Sequence, residues 1–144
     1  MGRLLAIDYG RKRCGIAATD TSRIVATGVA TIATSSLTEF LKGYFSREQV
    51  DLVVVGEPRD MHGDPSESMK YIKPAVARLC RDFPEMKFVY FDERFTSTLA
   101  HRAMIDGGMR KSRRRVKGEA DVMAATIILN DFLESQAYQL TQSI

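Results

Sequence analysis

Asp8, Glu57, the pair Asp92-Glu93 and Asp121 are the residues of this 144-residue chain whose type and placement suit chemistry. Asp8 follows the apolar residues 4–7 (LLAI), Glu57 follows 52–55 (LVVV) and Gly56, and Asp92-Glu93 follows 88–91 (FVYF). Each acid therefore stands at the carboxyl end of an expected strand, the edge where open α/β sheets carry their sites. Asp121 lies one turn before Ala125, on a stripe continued by Ile128 and Phe132, so a helix there turns its carboxylate inward, where an acid needs a partner. Carboxylates gathered without histidine or cysteine form the ligand set of a hard cation, Mg²⁺ or Mn²⁺. Their mutual repulsion also calls for one. Two such ions about 4 Å apart activate a water and stabilise the leaving oxygen of an in-line displacement. The chemistry that this set fits is hydrolysis of a nucleic-acid phosphodiester backbone.

Each acid has a plainer reading too. Asp8 before Tyr9-Gly10 is one way to start a β-turn, and Glu93 with Arg94 is a possible surface ion pair of little energetic weight. Asp92 suits a helix cap better than Glu93 does, although Thr96 and Ser97 compete for that place. Asp121 near the start of a helix is favoured by the macrodipole in any case. Four acids at matched positions outweigh these separate explanations. His62 and His101 lack a second histidine, serine or cysteine at a telling spacing, so they read as loop and helix-surface residues. Tyr9 and Tyr90 flank the expected site, where packing accounts for them as well as base stacking does.

Six of the 21 basic residues fall within 110–117 (RKSRRRVK). Placed beside the acids, Arg110, Lys111, Arg113, Arg114, Arg115 and Lys117 would hold flanking phosphates, a contact sensitive to salt and blind to sequence. A solvated loop of charges is the bland alternative.

These residues need a sheet to hold them. Residues 3–8, 14–18 and 24–32 read as consecutive strands joined by turns. Leu37, Phe40, Leu41 and Tyr44 mark a first helix, and the β-branched run 52–55 a central strand buried on both faces. A polar loop spans 57–65, and Met69, Ile72, Val76 and Leu79 mark a second helix despite Pro74 inside it. Residues 88–91 form the next strand, a helix runs on to about Asp106 and stops at Gly107-Gly108, and a closing helix is expected from Glu119. The order predicts an α/β fold, a mixed sheet with helices able to cover both faces. It leaves strand order open.

Length and composition bound the rest. The chain suits one domain over residues 1–138 with a polar tail at 139–144; hydrophobic residues at 44% and charged residues at 27% are ordinary for a globular protein. The short apolar run near the amino terminus is neither a secretory signal nor a membrane span, so a cytoplasmic protein with no membrane partner is expected. Cys14 and Cys80, far apart and without a CxxC pair, are expected to be buried, reduced thiols. The net charge of +3 is modest, and its distribution matters more than its total.

Four segments resemble the YqgF type, also called RuvX, a family of Holliday junction resolvases within the ribonuclease H-like superfamily: LLAIDYGRKRCGIA at 4–17, VVVGEPRDMHGD at 53–64, FDERFTS at 91–97 and KGEADVMAATIIL at 117–129. Each is weak alone, but the four in this order are specific, and they span nearly the whole chain. The resemblance implies a ribonuclease H-like fold with a five-stranded mixed sheet and helices on both faces. It implies a metal-dependent nuclease in which Asp8, Glu93 and Asp121 match the family's acids, and Lys117 the lysine of the last motif. It further implies processing of the 5′ end of pre-16S ribosomal RNA, or resolution of four-way DNA junctions. Glu57 is a departure, because the family usually has an apolar residue between Gly56 and Pro58. Related junction resolvases place an acid near that strand end, so Glu57, Glu93 or both complete the expected triad.

Two rival readings remain at the level of sequence. A sugar-kinase or actin-like ATPase shares the sheet and the DxG turn seen at 8–10, but clamps nucleotide between two domains, for which this length has no room. A non-catalytic RNA-binding module of ribosome assembly would keep the fold without the chemistry. Oligomeric state stays open between monomer and homodimer: trimming an RNA end needs only one site, whereas symmetric cutting of a junction calls for a dimer presenting two.

Overall fold

Leu5 and Ile7 project to one side of the first strand and Leu4 and Ala6 to the other, and all four are buried. A strand buried this way needs cover on both faces. The computed structural model, which describes residues 2–59, 62–92 and 113–135 and excludes the side chains of 113–119, shows how it is covered. The strands are β1 (Arg3–Tyr9), β2 (Arg13–Thr19), β3 (Ala26–Ala33), β4 (Val50–Glu57) and β5 (Phe88–Asp92). They form one mixed sheet of order β3-β2-β1-β4-β5. β1, β2 and β3 pair antiparallel, while β4 runs parallel to β1 and β5 parallel to β4. Parallel neighbours require crossovers, and α1 (Leu37–Arg47) and α2 (Met69–Asp82) supply them. The last helix, α3, is Arg113–Glu134.

Alternation divides the interior into two cores. Leu5, Ile7, Ile16, Val53 and Val55 face Leu37 and Leu41 of α1 and Ile72, Val76 and Leu79 of α2. Leu4, Ala6, Ala17, Leu52 and Val54 face Ala125, Ile128, Leu129 and Phe132 of α3. The sheet is mixed, has five strands and carries helices on both faces, as expected. No helix among the described residues is long and apolar enough to cross a membrane.

α3 lies close against the sheet because glycines line its path. A Cβ on Gly15 would fall 1.9 Å from the backbone carbonyl oxygen of Asp121, and one on Gly28 would fall 2.3 Å from Val122 Cγ1. Both glycines are thus required by the approach of the helix.

Several expectations need correction. β3 starts at Ala26, not at Ile24: Asp20 Oδ1 accepts the amides of Ile24 (2.8 Å) and Val25 (3.1 Å), which makes those two apolar residues part of an exposed turn. β4 is longer than the apolar run that announced it. α3 begins at Arg113, so the backbone of Arg113, Arg114, Arg115 and Lys117 is helical, consistent with the good helix propensity of arginine and lysine. Cys14 is buried as expected, but Cys80 is exposed on the solvent side of α2, beside buried Leu79; both are free thiols. Pro74 sits inside α2 on its exposed side. The expected helix up to Asp106 and the polar tail at 139–144 lie outside the described residues.

Candidate active site

Asp8 occupies the penultimate position of β1, at its carboxyl end, and is buried with 9% relative exposure. Its cross-strand partner is Gly15. Partners across a strand pair share a face, and Gly15 abuts the backbone of Asp121, so Asp8 projects toward α3. The missing side chain at Gly15 thus brings the helix bearing Asp121 down beside Asp8. Asp121 is anchored from the sheet as well, because Arg13 Nε at the start of β2 donates to its Oδ2 at 2.5 Å. Both partners are partly exposed, which screens the pair. The Cys14 thiol, next to Gly15 on the opposite face, feels both acids. Burial pushes its pKa up, hydrogen bonds from Thr34 and Gly10 oppose this, and the charges of Asp8 and Asp121 add to the rise.

Glu57 and Asp92 close β4 and β5 as register partners. Counting by twos from Val53 and Val55 puts Glu57 on the α1/α2 side of the sheet, opposite to Asp8. There Arg59 Nε donates to Glu57 Oε1 at 2.9 Å and lies 3.6 Å from Asp92 Oδ2. Arg59 is itself fixed by donating to the Gly63 carbonyl at 2.6 Å. Of the four acids proposed as ligands, Asp8 and Asp121 lie on the same face of the sheet, linked through Gly15, Glu57 is placed on the other face in a pair with Arg59, and Glu93 lies outside the described residues. Arg110 and Lys111 lie outside them too, and the side chains of Arg113, Arg114, Arg115 and Lys117 are not described. Lys117 precedes Asp121 by one helical turn along α3.

Among the described residues no three of His, Cys, Asp and Glu converge closely enough to hold a metal ion. Asp8 and Asp121 nevertheless offer only carboxylate oxygens, the donor type of a hard divalent cation. The set fits such an ion, with further ligands to come from water, phosphate or another acid. His62 is exposed in the loop before α2, while His101 lies outside the described residues. Tyr9 packs against the first core with its ring centroid 6.1 Å from that of Tyr71, and burial pushes its phenol pKa up. Tyr90 is exposed at 37%.

Arg13 and Arg59 are site residues that sequence reasoning missed. Arg13 finds its acid 108 positions away, a pairing for which the sequence carries no local sign. Arg59 is two residues from Glu57, and strand alternation was the available clue that both belong to the α1/α2 side.

Residues 2–135 match the family RuvX, described as Holliday junction resolvase. A protein of Parabacteroides distasonis named as a candidate pre-16S rRNA nuclease is 52% identical over 97% of this chain and 100% of its own. One of Flavobacterium johnsoniae with the same name is 48% identical over 96% and 100%. Among solved structures, T. thermophilus RuvC in complex with a Holliday junction substrate superposes with a TM-score of 0.57 at 13% identity, covering 92% of this chain and 95% of that one. This last likeness is one of fold, the ribonuclease H-like α/β class.

Proposed function

This chain belongs to the RuvX family and is a nuclease, and from that premise we propose that it processes the 5′ end of pre-16S ribosomal RNA in the cytoplasm with a divalent metal ion held by Asp8 and Asp121. The observation that carries this reading is the Asp8–Gly15–Asp121 arrangement, in which the backbone of Asp121 abuts Gly15, the cross-strand partner of Asp8, on the α3 face of the sheet. The names of the relatives support the RNA substrate. A bound divalent ion, Mg²⁺ or Mn²⁺, would supply an activated water and charge for the leaving oxygen.

The residues of the chain prepare that chemistry. Asp8 is fixed by a strand paired on both sides, so little reorganisation is needed. Arg13 holds one oxygen of Asp121 and turns the carboxylate toward the sheet. Glu93 is proposed as the third acid, on its match to the family motif, while Glu57 stands as a further ligand only if it leaves Arg59. Arg110, Lys111, Arg113, Arg114, Arg115 and Lys117 are proposed to neutralise phosphates flanking the scissile bond.

The test uses pure protein and its Asp8→Asn variant with a pre-16S 5′-leader RNA and with a synthetic four-way DNA junction, each with Mg²⁺, Mn²⁺ or chelator. Cutting of the RNA is expected only with metal, and the variant should be slower by about a thousandfold, equivalent to about 4 kcal/mol of transition-state stabilisation. Cutting of the junction alone would favour the resolvase reading that the family description supports. Binding of both without cutting would point to a non-catalytic RNA-binding module.

A further inference from the structure

The turn between β1 and β2 presents basic side chains that the proposed chemistry leaves unused. Arg11 and Lys12 are exposed at its tip, and the Arg11 guanidinium lies over the Tyr71 ring of α2, 5.1 Å from its centroid. Arg78, two turns beyond Tyr71, is exposed and close enough for its charge to act on Tyr9. Among the described residues none of these three cations forms an ion pair, whereas Arg3, Arg13, Arg23 and Arg59 each do.

The turn is also held still. Thr34 Oγ1 donates to the Gly10 carbonyl at 2.7 Å, and the Thr34 amide donates to the Lys12 carbonyl at 3.0 Å, bracketing Arg11 from both sides. A guanidinium held over an aromatic ring by cation–π attraction keeps N–H groups available for contact with a phosphate. That attraction and the braced turn together order the guanidinium before any ligand arrives. Arg11 follows Asp8 along the chain through Tyr9 and Gly10, yet Tyr71 belongs to the helix layer opposite to α3.

We propose that the Arg11–Tyr71 pair, flanked by Lys12 and Arg78, is a second nucleic-acid subsite that grips a backbone phosphate of the substrate strand on the α1/α2 side of the sheet edge. It rests on the nuclease reading for its substrate class, and it differs in place from the basic run that precedes Asp121. The strand cut at Asp8 and Asp121 passes over the β1–β2 turn and is held there, so that contacts lie on both sides of the reacting phosphate. The subsite reads charge and backbone, not sequence.

Fluorescence anisotropy of a labelled single-stranded RNA, titrated with protein in chelator over a series of salt concentrations, tests this without cutting. Arg11→Ala should weaken binding about tenfold and lower the slope of log K against log salt by about 0.7. Arg11→Lys should restore the slope but only part of the affinity, because an ammonium makes no planar fork. Lys87→Ala, an exposed charge at the other end of the sheet, controls for net charge and should change neither affinity nor cutting. If Arg11→Ala matches Lys87→Ala in both affinity and slope, the subsite is refuted, and the nuclease is decided separately by its own cutting assay. If wild type shows the Arg11-dependent slope but cuts neither RNA nor junction with metal, the nuclease reading falls and the subsite is kept. Absence of RNA binding by wild type would overturn the subsite outright.

Discussion

At the scale of single residues, the contrast between Gly15 and Arg13 separates steric from electrostatic control of Asp121. A methyl group on Gly15 would meet the carbonyl of Asp121, which is backbone and cannot rotate away. Gly15→Ala must therefore lift α3 around Asp121 from β2, an overpacking cost of about 1–3 kcal/mol. Arg13→Ala removes a short ion pair whose members are 38% and 22% exposed. Solvent screening limits that loss to below about 1 kcal/mol. Thermal unfolding followed by circular dichroism should rank Gly15→Ala as the more damaging change, and an equal or reverse ranking would mean that α3 yields easily at this point. The inward turn of Asp121 was legible from its helical stripe, and the place of Asp8 at the carboxyl end of β1 from the apolar run before it. The Arg13 pairing was not, since nothing local links β2 to a helix 108 positions on.

At the scale of elements, the β2–β3 hairpin shows why apolar residues alone misplace a boundary. Ile24 and Val25 resemble strand residues but are 72% and 57% exposed, because Asp20 draws their amides into a turn and Arg23 takes a φ of 58°. Those hydrogen bonds hold the Asp20 carboxyl pKa below its ordinary value. A depressed folded pKa means that the contribution to stability is present above the unfolded value of 3.8 and fades as pH falls through the folded one. Asp20→Asn, which keeps an acceptor oxygen but cannot titrate, should lose less stability than wild type between pH 5 and pH 2. Urea unfolding across that range checks it, and parallel acid limbs for the two proteins would contradict it. The start of α3 teaches a related point. A run of arginines reads as a solvated loop by charge but as helix by propensity, and the backbone follows propensity from Arg113. Elements with two buried faces, β1 and β4, were legible because uninterrupted apolar runs have few other uses.

At the scale of the whole molecule, two cores back one sheet, and only one of them seats the proposed catalytic pair. Leu41 of α1 is fully buried in the core that faces away from Asp8, and Leu41→Ala should cost about 2–5 kcal/mol through the cavity it leaves. Ala125 is fully buried one turn after Asp121, between α3 and the sheet. Ala125→Leu should cost less, about 1–3 kcal/mol, because overpacking is relieved by moving the helix outward. That relief displaces Asp121 from Asp8, so stability and activity should rank in opposite orders. At a temperature where both variants are folded, Leu41→Ala should cut RNA at close to the wild-type rate despite its lower melting temperature. Ala125→Leu should be the more stable and the nearly inactive one, since a misplacement of about 1 Å can cost about a hundredfold in rate. Paired melting curves and initial rates on the 5′-leader RNA decide the matter. If activity simply follows stability in both variants, the position of α3 on the sheet does not govern the chemistry, and Asp121 must be replaced as a ligand by an acid from elsewhere in the chain.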